Sequence, residues 1–284
     1  MTFKGNVSTH LGIAVLVKTD DGDEKFLPIP LNSGLVVGDR VEIDGTKIHR
    51  LERRNLLQRS TVKKGTQILA ANLDSLIIVI CAKPETTAIF LEQAIIAASI
   101  AHIKVLIAVN KGDQPENKEL CSLMMKEYDP FVPSILVSAK TGLGIDGLKR
   151  YISKSGRCIL AGVSGVGKSS LANALQADAH LPTGSISGNS GTHTTSKSTL
   201  HNLEGGGELI DSPGVRNFTP VNLTKLELAK NFTGFAQFLE QGCKFRDCLH
   251  LNEPDCAIKK ALSKKLIPAT RYGLYLKMQE ATQL

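Results

Sequence analysis

The N-terminal fifth of the chain shows short runs of strand character rich in apolar residues: FKGNVS, GIAVLVK, KFLPIP, RVEID and KIHRL, punctuated by DDGDE, NSG and DG. This spacing predicts a small all-β barrel over residues 1–62. Five short strands suit an OB-fold, and an SH3-like barrel fits the pattern nearly as well. From about residue 63 to 220 the pattern changes. Apolar runs LIIVICA, KVLIAVN, SILVSA, CILAG and ELID alternate with helical stretches such as FLEQAIIAASIAH and SSLANALQ. That alternation predicts an α/β domain, a mostly parallel sheet covered by helices on both faces. Beyond 220, KLELAKNFTGFAQFLEQ carries apolar residues at helical spacing, a cysteine-rich stretch follows, and ATRYGLYLKMQE closes as a last helix. The expectation is a multidomain α/β protein: a barrel over 1–62, an α/β domain over 63–220 and a helical module over 221–284.

Composition supports this division. A chain of 284 residues with 42% apolar content can bury more than one core. The longest apolar runs are far too short to span a bilayer, and the N-terminus has no signal-peptide pattern. A cytoplasmic, monomeric protein without a membrane partner is expected. Lys and Arg number 34 against 27 Asp and Glu, a net charge of +7 that points to a polyanionic partner, nucleic acid first. Of six cysteines, Cys81, Cys121 and Cys158 stand singly in apolar settings and read as reduced core residues.

The chemistry begins with GVSGVGKSS, residues Gly162, Val163, Ser164, Gly165, Val166, Gly167, Lys168, Ser169 and Ser170. It follows the strand-like CILAG and opens a helix, the setting of a phosphate-binding loop. The glycines let N–H groups converge on phosphates, Lys168 reaches the β and γ oxygens, and Ser169 offers a hydroxyl to Mg²⁺. Downstream, ELIDSPG puts Asp211 at a strand end, suited to hold Mg²⁺ through water, with Gly214 placed to meet the γ-phosphate. Between them lies GTHTTSKS, where Thr194 or Thr195 is expected to complete the magnesium shell.

Guanine specificity is written upstream. VNKGDQ contains Asn110, Lys111, Gly112 and Asp113 at the end of a buried strand. The Asp113 carboxylate can accept from guanine N1–H and the exocyclic amine, donors that adenine lacks there. Asn110 would brace the loop. SILVSAKTG then supplies Ser138, Ala139 and Lys140, with the Ala139 N–H aimed at guanine O6. These motifs precede the phosphate loop, whereas GTP-binding proteins ordinarily place them after it. The order is that of a circular permutation, which joins old ends and leaves each strand in place. One consequence is that the segment after DSPG leads directly into the C-terminal module.

In that module CKFRDCLHLNEPDC arranges Cys243, Cys248, His250 and Cys256 as C-x₄-C-x-H-x₅-C. Three thiolates and one imidazole make a closed tetrahedral set suited to one structural Zn²⁺.

The order NKGD, SAK, GVSGVGKSS, HTT, DSPG, the Cys/His cluster, and a preceding barrel with VGDRVEIDG and RRNLLQR resembles the ribosome small subunit-dependent GTPase A family (RsgA, also called YjeQ) over essentially the whole chain. The resemblance implies an OB-fold for the barrel, GTP and GDP with Mg²⁺ as ligands, and a role in late maturation of the small ribosomal subunit. The implied partners are that subunit, its rRNA and other assembly factors. Thr192 stands where the family more often has Arg. Val215 follows DSPG where many GTPases place a water-orienting glutamine. The water must therefore be oriented by His193, on the loop with Thr194 and Thr195, or by a group of the partner. Catalytic expectations rest on His193, Lys168, Thr194 and Thr195, and magnesium on Ser169, Thr195 and Asp211.

Basic residues Lys47, Arg50, Arg53, Arg54, Arg59, Lys63 and Lys64 on one side, and Lys244, Arg246, Lys259, Lys260, Lys264 and Lys265 on the other, flank the nucleotide domain. The barrel holds few aromatics, which favours contact with folded RNA backbone over base stacking. Two other readings compete: a GTP-gated protein adaptor, and a binding module whose nucleotide is structural and never hydrolysed, against which Lys168, Ser169, Asp211 and the threonines speak. Weak salt dependence of partner binding would favour the adaptor.

Overall fold

A computed structural model describes residues 2–61, 65–129, 131–176, 198–211, 223–240 and 242–282. The N-terminal strands are β1 (Thr2–His10), β2 (Ala14–Thr19), β3 (Glu24–Pro28), β4 (Arg40–Asp44) and β5 (Lys47–Arg50). Their pairing is antiparallel throughout, in the order β3-β2-β1-β4-β5. Val7, Val15, Val17, Leu27, Val41 and Ile43 form the core beneath them, alternate residues that period-two pleating sends to one face.

A hairpin, β6 (Leu56–Thr61) and β7 (Gly65–Ala71), forms a separate two-stranded sheet on either side of residue 62, so the expected barrel limit falls between its strands. The central domain follows with β8 (Ser75–Ile80), α1 (Ala88–Ile100), β9 (Lys104–Val109), α2 (Pro115–Tyr128), β10 (Ser134–Leu136), α3 (Ile145–Ser155), β11 (Arg157–Ala161), α4 (Lys168–Gln176), β12 (Ser198–Asn202) and β13 (Glu208–Asp211). Strands β10-β9-β8-β11-β13 run parallel. Burial on both faces explains why β8 reads as an unbroken apolar run: Leu76, Ile78 and Ile80 pack towards α1 and α2, Ile77 and Val79 towards α3 and α4.

Two features lay outside the expectations. Strand β12 runs antiparallel to β13, and β1 pairs with β12 through Thr9↔Thr199 and His10↔Ser198. The N-terminal strands and the parallel sheet are thereby one hydrogen-bonded sheet of 11 strands among the described residues. An ionic seam reinforces the join. Arg157 donates to Glu208 at 2.7 Å and to the Gly38 carbonyl at 2.8 Å, and Arg54 pairs with Asp74 at 2.9 Å.

The C-terminal module comprises α5 (Lys225–Asn231), α6 (Ala236–Leu239), α7 (Ala257–Ser263) and α8 (Ala269–Ala281). The stretch expected to be helical from Lys225 onward divides in two because Gly234, at φ 88°, leaves the helical region and the Thr233 N–H donates to Glu92 at 2.8 Å. Glu92 of α1 is fully buried, and it pairs with Arg271 of α8 at 2.8 Å. Arg271 also donates to the Thr233 carbonyl and lies over the rings of Tyr128 and Phe232. The module is thus clamped to α1 by a fully partnered buried charge pair.

Candidate functional site

The sequence motifs meet at the carboxyl ends of the parallel strands, the edge where open α/β sheets bind ligands. The glycine-rich loop links β11 to α4. Gly162, Gly165 and Gly167 all have positive φ, at 147°, 85° and 92°. A Cβ on Gly162 would meet the Val79 carbonyl oxygen at 2.3 Å, and one on Gly167 would meet Asn110 Nδ2 at 2.4 Å. No side chain fits either position. Lys168 Nζ donates to the carbonyls of Gly162 and Val163, both at 2.8 Å, which holds the ammonium over the loop. Val166 is buried, whereas Ser164, Gly165, Ser169 and Ser170 are exposed along the rim.

The NKGD turn follows β9. Asn110, buried, donates from Nδ2 to the Val166 carbonyl at 2.9 Å, and its Oδ1 accepts from the Ala139 N–H at 3.3 Å. Lys111 holds a left-handed φ of 60°, and its Nζ donates to the Lys83 carbonyl at 2.7 Å. The Gly112 N–H bonds the Val137 carbonyl, and a Cβ there would strike Leu136 at 2.8 Å. Asp113 Oδ1 accepts from Ser138 Oγ at 2.6 Å. That bond holds the Asp113 carboxyl below its usual pKa, so it is ionised and ready to accept. Asn110, Lys111, Asp113, Ser138, Ala139 and Lys140 line a cleft of about 250 Å³ together with Gln114, Gly167 and Ser170. Residues of the NKGD turn, the SAK loop and the glycine-rich loop therefore share one wall. A larger cavity of about 620 Å³ between α1 and α6 is lined by none of these residues.

Asp211 ends β13, half-buried, beside the strand that feeds the glycine-rich loop. Ser169 lies in the first turn of α4, at the same sheet edge. A hydroxyl and a carboxylate suit Mg²⁺, which takes oxygen ligands and keeps several waters. His193, Thr194, Thr195 and Gly214, with Thr192 and Val215, lie outside the described residues.

The four ligand atoms of Cys243, Cys248, His250 and Cys256 lie within 4.8 Å of one another. His250 Nδ1 stands 3.6, 3.3 and 3.3 Å from the sulfurs of Cys243, Cys248 and Cys256. A zinc tetrahedron with Zn–S of about 2.3 Å and Zn–N of about 2.0 Å has N···S edges of roughly 3.5 Å, so the donor set fits that ion. His250 Nε2–H donates to the Ala229 carbonyl at 3.2 Å, which leaves Nδ1 as the lone-pair nitrogen facing the thiols. Burial lowers the His250 pKa, favouring the neutral ring, and pushes the Cys248 thiol up to about 12. The loop between them is held from outside. Glu253 accepts from the Leu249 and Leu251 N–H groups, Tyr272 donates to the His250 carbonyl at 2.6 Å, and Tyr275 to that of Leu249 at 2.5 Å.

The basic flanks differ from expectation. Arg53 is not a surface cation: it forms a pair with fully buried Asp39 at 2.6 Å and donates to the Gly34 carbonyl, closing the loop before β4. Arg54 is engaged by Asp74, and Arg59 by Gln67. Lys63 and Lys64 lie outside the described residues. Lys47 and Arg50 are exposed, as are Lys244, Arg246, Lys259, Lys260, Lys264 and Lys265 around the Cys/His cluster. Sequence reasoning missed Asp39 and Asp74 as partners because both are distant in the chain.

Comparison with known proteins agrees with this geometry. A family model described as RsgA GTPase matches residues 50–220. A protein of Bacteroides thetaiotaomicron named small ribosomal subunit biogenesis GTPase RsgA 2 is 35% identical, covering 98% of this chain and 96% of its own. Small ribosomal subunit biogenesis GTPase RsgA of Shewanella oneidensis is 39% identical over 95% of this chain and 81% of its own. Among solved structures, YjeQ from Thermotoga maritima superposes with a TM-score of 0.74 at 28% identity, covering 99% of each chain. YloQ, described as a circularly permuted GTPase, gives 0.71 at 21% identity over 99% of this chain and 95% of its own.

Proposed function

Since the chain belongs to the RsgA family of GTPases, which hydrolyse GTP, we propose that it does so on the small ribosomal subunit, assisting late maturation and leaving after hydrolysis. The observation that carries this reading is the nearly end-to-end match to relatives whose names state a role in small-subunit biogenesis. The exposed lysines and arginine around the Cys/His cluster supply a surface suited to rRNA phosphates. In this reading the N-terminal strands form an OB-type barrel that shares in RNA contact, residues 63–220 form the GTPase domain, and residues 221–284 are a module folded around one Zn²⁺. The protein acts as a monomer in the cytoplasm, alongside other assembly factors.

Each residue has a stated task. Asp113 reads the guanine edge, Asn110 holds that turn to the phosphate loop, and Ser138, Ala139 and Lys140 close over the base. Backbone N–H groups from Gly162 to Ser170 face the phosphates. Lys168 exchanges its two carbonyl partners for β and γ oxygens, a stronger charge-assisted pairing. Ser169, Asp211 and Thr195 or Thr194 would hold Mg²⁺, which supplies charge neutralisation at the β- and γ-phosphates, and Gly214 would meet the γ-phosphate. His193 would orient the attacking water once the partner is bound.

The test is GTP turnover with purified subunits. Small subunits should accelerate hydrolysis at least tenfold, about 1.4 kcal/mol of barrier, with much less from large subunits. His193→Ala should remove most of that gain while GTP binding persists. Equal rates with and without small subunits would overturn the ribosome reading, and an undiminished response of the His193 variant would move water orientation to the partner.

A further inference from the structure

Asn117 lies on the first turn of α2, fully buried, four residues beyond Asp113. Its side chain faces the nucleotide loops. Oδ1 accepts from the Ala82 N–H at 2.7 Å, and Nδ2 donates to the Lys111 carbonyl at 3.1 Å and to Gln114 Oε1 at 3.1 Å. One buried carboxamide thus ties the turn after β8 to the turn after β9. Both turns touch the nucleotide site. Lys83 receives the Lys111 ammonium, and the Pro84 ring lies 3.3 Å from where a Cβ of Gly165 in the phosphate loop would stand.

The strain sits at Lys111. A lysine at φ 60° occupies the left-handed region that L-residues adopt only when their surroundings enforce it. Three contacts enforce it here: the Gln114 N–H and Asn117 Nδ2 on its carbonyl, and the Lys83 carbonyl on its Nζ. Two residues later the chain presents Asp113, whose two oxygens must meet two donors of one planar base. Such bidentate contact tolerates little displacement. Gln114, the N-cap of α2, makes no side-chain cap bond to the backbone and accepts at its Oε1 from Asn117 Nδ2, so Asn117 also fixes the entry of the helix.

We infer that Asn117 is a positioning residue for guanine selectivity: it touches no nucleotide atom and sets the Lys111 to Asp113 turn by bridging it to the 82–84 turn that flanks the phosphate loop. The inference rests on the GTPase reading and concerns only base discrimination. Removing the carboxamide loosens the base reader and leaves Lys168, Ser169 and Asp211 untouched.

The experiment measures dissociation constants of GDP and IDP, which differ by the exocyclic amine that Asp113 would accept, for the wild type and three variants. Asn117→Ala removes all three bonds. Asn117→Asp keeps an acceptor for Ala82 and loses the donor to Lys111. Asn72→Ala removes a buried amide that braces Arg54 and Gly38 away from the nucleotide loops, a control for plain destabilisation. The wild type should prefer GDP. Both Asn117 variants should shrink the IDP-to-GDP ratio by about fivefold to tenfold, the span expected when one hydrogen bond of positioning is lost. KM for GTP should rise with kcat nearly unchanged, and Asn72→Ala should keep the wild-type ratio whatever its melting temperature. A wild type that does not discriminate GDP from IDP would break the base-reading assignment itself. A discriminating wild type whose Asn117 variants melt lower yet keep its ratio would overturn this inference and leave Asn117 a purely structural residue.

Discussion

The Asn110 side chain donates to the Val166 main-chain carbonyl at 2.9 Å across 56 positions of sequence. The contact joins the turn proposed to read the base to the loop proposed to cradle phosphate. It is possible only because Gly167 beside it has no Cβ: the closest approach that a Cβ would make is 2.4 Å, to the same nitrogen that donates this bond. The NKGD turn and the glycine-rich loop are therefore mechanically one unit, although the chain writes them in permuted order.

Gly167→Ala should weaken GDP and GTP together by at least tenfold, because the methyl displaces Asn110 and strains a φ of 92°. Titration with a fluorescent guanine nucleotide checks this. Retained affinity would mean the two loops bind independently.

Asp113→Asn should exchange specificity. The amide presents a donor where the carboxylate accepted, so GTP should weaken by about tenfold or more and xanthosine triphosphate should gain, tenfold being about 1.4 kcal/mol. Competition binding with the two triphosphates reads the change directly.

Glu92→Ala strands the Arg271 guanidinium in an apolar setting. Side chains that are 9% and 0% exposed at Arg271 and Glu92 put the pair in the class whose one-sided removal costs about 3–5 kcal/mol. Denaturant melting should show that loss, and the double change Glu92→Leu with Arg271→Met should recover only part of it, because the Thr233 N–H and carbonyl lose their partners.

Metal removal should unfold the C-terminal module and spare the nucleotide site. Dialysis against a strong chelator, or Cys248→Ser, is expected to release stoichiometric zinc and expose the aromatic core of Phe232, Phe235 and Tyr275. GDP binding should persist. A metal-free preparation with unchanged near-ultraviolet dichroism would exclude a structural metal.

Acidification should destabilise the fold near neutral pH. Burial lowers the pKa of His10 and of His201, with Asp39 and Asp211 offsetting part of the effect respectively. The unfolded chain then binds more protons than the folded one just below the ordinary histidine pKa, so stability is lost as pH falls from about 6.5 towards the depressed folded values. Denaturation midpoints at pH 7 and pH 5.5 should differ less in a His201→Asn variant than in the wild type.

Local rules made much of this protein legible in its sequence. The phosphate loop, the NKGD turn, the SAK loop and the Cys/His cluster each depend on residues a few positions apart, where glycine conformations and ligand spacing are decided by short stretches of chain. The strands of the parallel sheet were equally legible, because burial on both faces demands unbroken apolar runs such as LIIVICA. The tertiary structure alone decided which distant groups meet. Arg53 reads as a surface cation until folding brings Asp39 against it, and Glu92 reads as a solvated helix residue until α8 delivers Arg271. Asn117 looks like an ordinary helix residue, and only the meeting of two turns gives its carboxamide three partners. The pairing of β1 with β12 was hidden for the same reason: a strand's pattern specifies which face it buries, while its partner is chosen by the backbone edge left open once the sheet has assembled.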